Sequence, residues 1–380
     1  MTATSLSAPL FRWYVSSATF AVPQAAGPVA FALVALALTG DTGGAAAMIL
    51  ALTLAQVIGA IPITRLGRGL PPTTFLRMLV GFRTVALCAV AVLAQFSAPL
   101  VWLIAFSALA GAVTGSAFGY LRAVLNELTA SGSMPRALGI AATLNEVTFV
   151  LAPVLASGLG TISPVFGVLA LAALGAVPAL LVPTVKSAPT DDVHAPDASS
   201  VTPAILLWLI CAAAGGSTVA ALEIGAVGLA LQFGYAPAMA ILFTVPLCVA
   251  SVAGGIWVSF LNRMATRKAV LIQLAIMTVG AVIVSLQVSM AVTVMGAVLV
   301  GAVLAPLGTY YSLVLDTLAP RNKRAEVFAL LRTANSVGVI VASGVMTIVS
   351  LPTALVVVSC LMASVVAIVS LALIRQHRSP

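Results

Sequence analysis

Residues 185–202 read VKSAPTDDVHAPDASSVT, the one long polar stretch in the chain. It holds Asp191, Asp192 and Asp197, a third of the 9 acidic residues. Its composition is that of a solvated linker. On either side the chain is a succession of apolar runs. A helix that crosses a bilayer needs about 20 such residues. Six runs precede the stretch, at 11–38, 44–65, 74–96, 99–125, 136–160 and 162–184. Six follow it, at 203–232, 237–261, 268–288, 290–316, 325–350 and 352–374. The sequence therefore predicts an all-α integral membrane protein. Two six-helix bundles, 1–184 and 203–380, are joined by 185–202.

The breaks between runs alternate in charge. Arg65, Arg68 and Arg77 are followed by Arg122 and Arg136, then Lys186, then Arg263, Arg267 and Lys268. Arg321, Lys323 and Arg324 come next, then Arg375 and Arg378. The breaks near 39–43, 95–99, 160–164, 234–237, 287–290 and 350–352 carry no basic residue. Positive loops stay cytoplasmic, so all 17 Lys and Arg residues fall toward one side, with both termini cytoplasmic. Trp13, Trp102, Trp208 and Trp257 stand near predicted helix ends, where interfacial aromatics are expected.

Composition narrows the function. Hydrophobic residues are 62% of the chain and charged residues 7%, with a mean hydropathy of +1.20. A soluble domain carries about 25% charged residues. The net charge of +8 is explained by topology and anionic lipid rather than by nucleic acid. Cys88, Cys211, Cys248 and Cys360 are isolated in apolar runs, as small buried hydrophobes are. His194 and His377 lie in the linker and the tail, so no histidine metal site is expected. The first apolar run continues to Leu38, too long for a cleaved leader.

The two halves resemble each other. A shift of 190 pairs Tyr120 with Tyr310, Asn126 with Asp316 and Asn145 with Asn335. LASGLGTI at 155–162 matches VASGVMTI at 341–348, and GAIPITRLGR at 59–68 matches GGIWVSFLNR at 254–263. Repeated six-helix halves with a cytoplasmic linker are the parallel repeat of a secondary transporter.

The stretch from Ala60 to Gly69 resembles the major facilitator superfamily loop G-x-x-x-D-R-x-G-R-R, and the resemblance extends across essentially the whole chain. Arg65, Gly67 and Arg68 match; Thr64 and Ala60 replace the Asp and the first Gly. The resemblance implies that Arg65, Gly67 and Arg68 belong to an inner gate. The missing Asp weakens its latch. In the fifth span, Thr148, Ala152, Pro153, Ala156 and Ser157 are similar to the family's antiporter motif G-x-x-x-G-P-x-x-G-G without its glycines. That motif accompanies export. Arg122 resembles the basic residue of drug exporters on the fourth helix and reads equally as a topological arginine.

Charges inside spans are costly and mark function by default. Arg83, Glu146 and Glu223 sit well inside. Arg83 and Glu146 are each about nine residues from a cytoplasmic end, roughly 14 Å deep. Two readings stand: an ion pair that locks two helices, or a Glu146 that takes and releases a proton. Glu223, near Gly215, Gly216 and Gly225, is expected to carry a proton or cation, or to hold an external gate. In this fold the first, fourth, seventh and tenth helices line the cavity, which implies Gln24, Arg122, Tyr120, Tyr310 and Tyr311 as lining residues. Asn145 and Asn335 join the substrate cavity or hydrogen-bond across helices. Pro23, Gly27 and Pro28 are expected to interrupt the first helix, and Pro306 the tenth. Asp316, Arg321, Arg324 and Glu326, with Glu127 and Arg136, form an inside gate or a solvated loop.

No phosphate-binding loop or hydrolase motif occurs, so neither ATP use nor catalysis is expected, nor any cofactor. The sequence reading is a monomeric, proton-coupled secondary transporter of the inner (plasma) membrane, exporting an amphipathic small molecule. Its partners are the small-molecule substrate, protons and membrane lipid. Uptake of a small metabolite and a transport-inactive sensor are the alternatives. A multiply charged substrate such as a sugar phosphate calls for paired cavity arginines, and only Arg83 is read as deep enough.

Overall fold

The computed structural model describes residues 7–40, 43–185, 201–235 and 237–378. The linker acids and His194 lie outside the described residues. Thirteen α-helices account for nearly all of the described chain: α1 (Ala8–Thr39), α2 (Gly43–Leu66), α3 (Pro72–Gln95), α4 (Leu100–Ala112), α5 (Thr114–Leu128), α6 (Met134–Ile162), α7 (Pro164–Leu181), α8 (Pro203–Gln232), α9 (Ile241–Leu261), α10 (Arg267–Leu286), α11 (Met290–Leu318), α12 (Arg324–Ile348) and α13 (Leu351–Arg378). Twelve helical segments among them are long and apolar enough to span a bilayer, α4 and α5 together forming one. Each lies within a few residues of its expected run.

Helix ends follow local chemistry. Pro72, Pro164 and Pro203 open helices, where a missing N–H has no cost. The hydroxyls of Thr202, Thr266 and Ser289 accept from Ile205, Ala269 and Val292 N–H at 3.3 Å each. Gly40 ends α1 at φ 72°, the left-handed cap that glycine takes most easily.

One expectation is corrected here. Pro23 and Pro28 lie inside α1, and Pro306 inside α11, yet both helices run through unbroken. The lost hydrogen bond is absorbed locally, as spanning helices allow. The observed interruption is at Val113, between α4 and α5, where no proline stands.

The chain forms two compact units. Unit 1 contains Met1–Ser131, Leu144–Ser200 and Pro320–Thr333. Unit 2 contains Gly132–Thr143, Val201–Ala319 and Ala334–Pro380. Each unit thus includes a short segment from the other half of the sequence. In unit 1, Phe31 and Val34 of α1 pack with Met48, Leu87, Leu103 and Leu171. In unit 2, Phe243, Leu229, Leu274 and Val300 are buried. Outward residues such as Phe82, Val85, Val249 and Phe260 stay exposed and apolar, as a lipid-facing surface requires.

The internal repeat is visible in the helix crossings. A Cβ on Gly59 would stand 2.3 Å from Ala112 O, and one on Gly254 2.5 Å from Ala302 O. A Cβ on Gly111 would stand 2.0 Å from Leu52 O, and one on Gly301 2.2 Å from Leu247 O. These crossings superpose in sequence at shifts of 195 and 190. Both units therefore bring the same helix pair to backbone contact through glycine.

Trp102 and Trp257 are exposed, as interfacial rings are, but Trp13 and Trp208 are buried. Trp13 Nε1 donates to Leu121 O at 2.8 Å, and Trp208 packs edge-on against Tyr310 at 5.1 Å. Both rings stand near the chain end of a helix, but inside a bundle.

Candidate functional site

The loop after α2 carries the first part of the site. Thr64 is buried; its hydroxyl lies 2.6 Å from Ala60 O and 2.8 Å from Ser116 Oγ. It is satisfied within unit 1 and supplies no charge. The charge comes from Glu326, in the first turn of α12 and only 2% exposed. Arg65 Nε donates to its Oε1 at 3.0 Å, and Arg68 Nη2 to its Oε2 at 2.7 Å. Two guanidiniums on one buried carboxylate are a strong charge-assisted arrangement. Gly67 makes room for it: a Cβ there would lie 2.3 Å from the Phe75 ring and 2.5 Å from the Tyr120 hydroxyl. That hydroxyl donates to Thr64 O at 2.9 Å, so Tyr120, expected in the cavity, is buried and engaged with the loop.

Unit 2 has the equivalent contact without charge. Asn262 ends α9 in the left-handed conformation, φ 45°. Its Oδ1 accepts from Arg136 N–H at 3.0 Å, and its Nδ2 donates to Gly132 O at 3.0 Å. By the repeat shifts, Asn262 corresponds to Gly67 and Arg136 to Glu326.

Next to the Glu326 latch lies a reciprocal pair. Phe118 and Arg122 are one helical turn apart on α5, and Phe328 and Arg332 one turn apart on α12. The Arg122 guanidinium lies over the Phe328 ring at 4.7 Å, and Arg332 over Phe118 at 5.4 Å. Arg122 also bonds Asn126. Gly119 permits the approach, since a Cβ would stand 2.2 Å from Ala325 O. The sequence reading missed Arg332 and both phenylalanines. The recurring F-x-x-x-R is the signal, but its shift of 210 matches neither repeat alignment.

Deeper in unit 1, Arg83 is 2% exposed. It does not pair with Glu146. Nη1 donates to Phe20 O at 3.2 Å and Nη2 to Gly175 O at 3.0 Å, and the guanidinium stacks on the Phe20 ring at 4.1 Å. Two carbonyls and an aromatic face, which the Pro23–Gly175 packing brings within reach, stand where one of the two sequence readings put an ion pair. Glu146 and Asn145 are half-buried on α6, and Gln24 is half-buried on α1 with a buried Oε1 that accepts no hydrogen bond.

In unit 2, Glu223 projects from α8 as an exposed carboxyl with no hydrogen-bond or ion-pair partner among the described residues. Behind it, Gly225 and Gly228 close on Leu351. Tyr310 and Tyr311 are buried against Trp208, at 5.1 and 6.2 Å between ring centres. The Tyr311 hydroxyl is buried without a partner. Asn335 is half-buried beside Gly216, and neither its amide nor that of Asn145 hydrogen-bonds another described residue. Asp316 is half-buried in the last turn of α11. Among the described residues no three His, Cys, Asp or Glu side chains gather as a metal site, and the cysteines are all unbridged.

One family model matches most of the chain. The Major Facilitator Superfamily model covers residues 13–343. The chain belongs to the major facilitator superfamily. Solved structures of superfamily transporters share its fold. A bacterial homologue of the iron transporter ferroportin, in an outward-facing state, aligns at a TM-score of 0.80 and 13% identity, over 97% of this chain and 98% of that one. The Escherichia coli fucose:proton symporter FucP aligns at 0.73 and 14%, over 96% and 98%. The human organic anion transporter MFSD10 aligns at 0.72 and 13%, over 96% and 98%. At such identities the likeness is one of fold. No curated protein matches the sequence. As a superfamily member the chain is a multi-pass membrane protein with a transporter fold.

Proposed function

We propose that this superfamily member is a proton-coupled secondary transporter that exports an amphipathic small molecule by alternating access. The observation that carries the coupling is Glu223, an unpartnered carboxyl within an apolar span. It lies about 20 residues, roughly 30 Å, from the start of α8. Such a group is costly unless it binds something in its working cycle. A proton is the smallest ligand that neutralises it. Glu146 is the second carboxyl available for that role, and Arg83 shapes the field around it.

The basic loops face the cytoplasm by the positive-inside rule. The contacts of Arg65 and Arg68 with Glu326 then form a closed inner gate. Inward opening requires Glu326 to leave both arginines, and proton binding elsewhere biases that step. The worn antiporter motif on α6 supports export. Uptake is the second reading, favoured by FucP and the xylose transporter XylE, both described as proton symporters.

The test is flux in proteoliposomes under an imposed pH gradient. Wild-type protein is expected to move substrate, and Glu223→Gln to lose gradient-driven flux by at least about tenfold while keeping its elution profile. Unchanged gradient-driven flux in that variant refutes the coupling assignment. Everted and right-side-out vesicles separate export from uptake.

A further inference from the structure

Of the arginines of unit 1 described at the site above, all but one meet a polar partner. Arg65 and Arg68 hold Glu326; Arg83 has two carbonyls and a ring; Arg122 has Asn126 and a ring. Arg332 has only the face of Phe118. It stands eight residues into α12, about 12 Å along the helix, within a segment apolar enough to span the bilayer. Its Nε is buried and makes no hydrogen bond, and no carboxylate pairs with it among the described residues. The Nε of Arg83, in the same unit, is also buried and unpartnered. Thr333, next in the chain, adds a buried hydroxyl without a partner.

An unpaired guanidinium inside a span is costly and marks a ligand path by default. A guanidinium presents a planar fork that matches two oxygens of one acid. We propose that unit 1 binds the acidic head of a singly charged amphipathic organic anion, a carboxylate or sulfonate, with Arg332 as its counter-charge. The Phe118 ring, which already stacks with the Arg332 guanidinium, lies beside the apolar body. The inference names the substrate class of the transporter reading above and rests on it. It also revises the expectation that only Arg83 is deep enough to meet an anion.

The probes are naphthalene-2-sulfonate and 2-naphthyltrimethylammonium, which share a ring system and differ in charge. Equilibrium binding and thermal stabilisation are measured on purified full-length protein. The sulfonate is expected to bind wild type at least tenfold more tightly than the ammonium. Arg332→Gln is expected to lose at least tenfold in sulfonate affinity, and Arg332→Lys to retain part of it. If Arg332→Gln does not elute as folded protein, Arg332→Lys and Phe118→Leu carry the test, each with a several-fold loss expected. Absence of sulfonate binding to wild type, equal binding of the two probes, or unchanged affinity in the Arg332 variants overturns the proposal. Flux of the same probes separates the two readings. Arg332-dependent binding without pH-driven flux sinks the transporter reading and leaves the anion site. Driven flux indifferent to Arg332 does the reverse.

Discussion

Thr64 occupies the position where the superfamily loop has an aspartate, and its hydroxyl turns back to Ala60 O and Ser116 Oγ. The negative charge at the loop is instead Glu326, 258 residues beyond Arg68. Arg65 and Arg68 are 52% and 39% exposed and keep part of their hydration, so the contact is weaker than a fully buried pair. Removing the charge should still matter, because Glu326 itself has little water. In a cysteine-free background, Ala325→Cys is expected to be labelled about tenfold faster once Glu326→Gln is added, equivalent to about 1.4 kcal/mol lost from the contact. Exchanging the charges, Glu326→Arg with Arg65→Glu and Arg68→Glu, is expected to restore slow labelling. Equal labelling rates in all backgrounds would show that the latch contributes nothing. Arg65, Gly67 and Arg68 were legible as loop residues from sequence because their spacing is local. The partner of the two arginines was not, because nothing in a linear pattern brings residue 326 to residue 65.

At the scale of helices, glycine decides where backbones meet. Gly111 and Gly301 each abut a carbonyl of the facing helix, whereas Gly81 of α3 faces open space. A side chain at Gly111 must push α2 and α4 apart, and overpacking of this kind costs about 1–3 kcal/mol. Gly111→Val is therefore expected to lower the melting temperature of purified protein by several degrees. Gly81→Ala is expected to leave it unchanged or raise it, since alanine favours helix by up to about 1 kcal/mol. Equal melting of the two variants would contradict the crossing. The spans themselves were readable in advance: 44–65 was expected and Gly44–Leu66 is observed. Length and apolarity are properties of the run alone. The breaks were not readable, since proline at 306 is tolerated while Val113, with no breaker residue, ends α4. Whether a helix bends depends on the groups that re-satisfy its carbonyls, and those lie on other helices.

For the molecule as a whole, charge alternation is the strongest statement about orientation. Gly69 and Met264 lie in basic breaks, and Phe96 lies in a neutral one. Cysteines at positions 69 and 264 are expected to react with an impermeant maleimide from the same face of the membrane, and one at position 96 from the other. Reaction at 69 and 264 from opposite faces would contradict the orientation. Repetition was visible in the sequence as short matches, and it appears in the structure as equivalent glycine crossings. The equivalence is broken where function is proposed: Glu326 with two arginines in one unit, a neutral asparagine in the other.

The segment Pro320–Thr333 belongs with helices made long before it. A ribosome adds about 5–20 residues per second, so Arg65 and Arg68 emerge roughly 10–50 s ahead of Glu326. During that interval the nascent loop has no internal counter-ion, and anionic head groups at the bilayer surface are the nearest substitute. The contact of Arg65 and Arg68 with Glu326 therefore forms only once the eleventh span is made, and a membrane poor in acidic lipid is expected to leave the two arginines without a substitute until then.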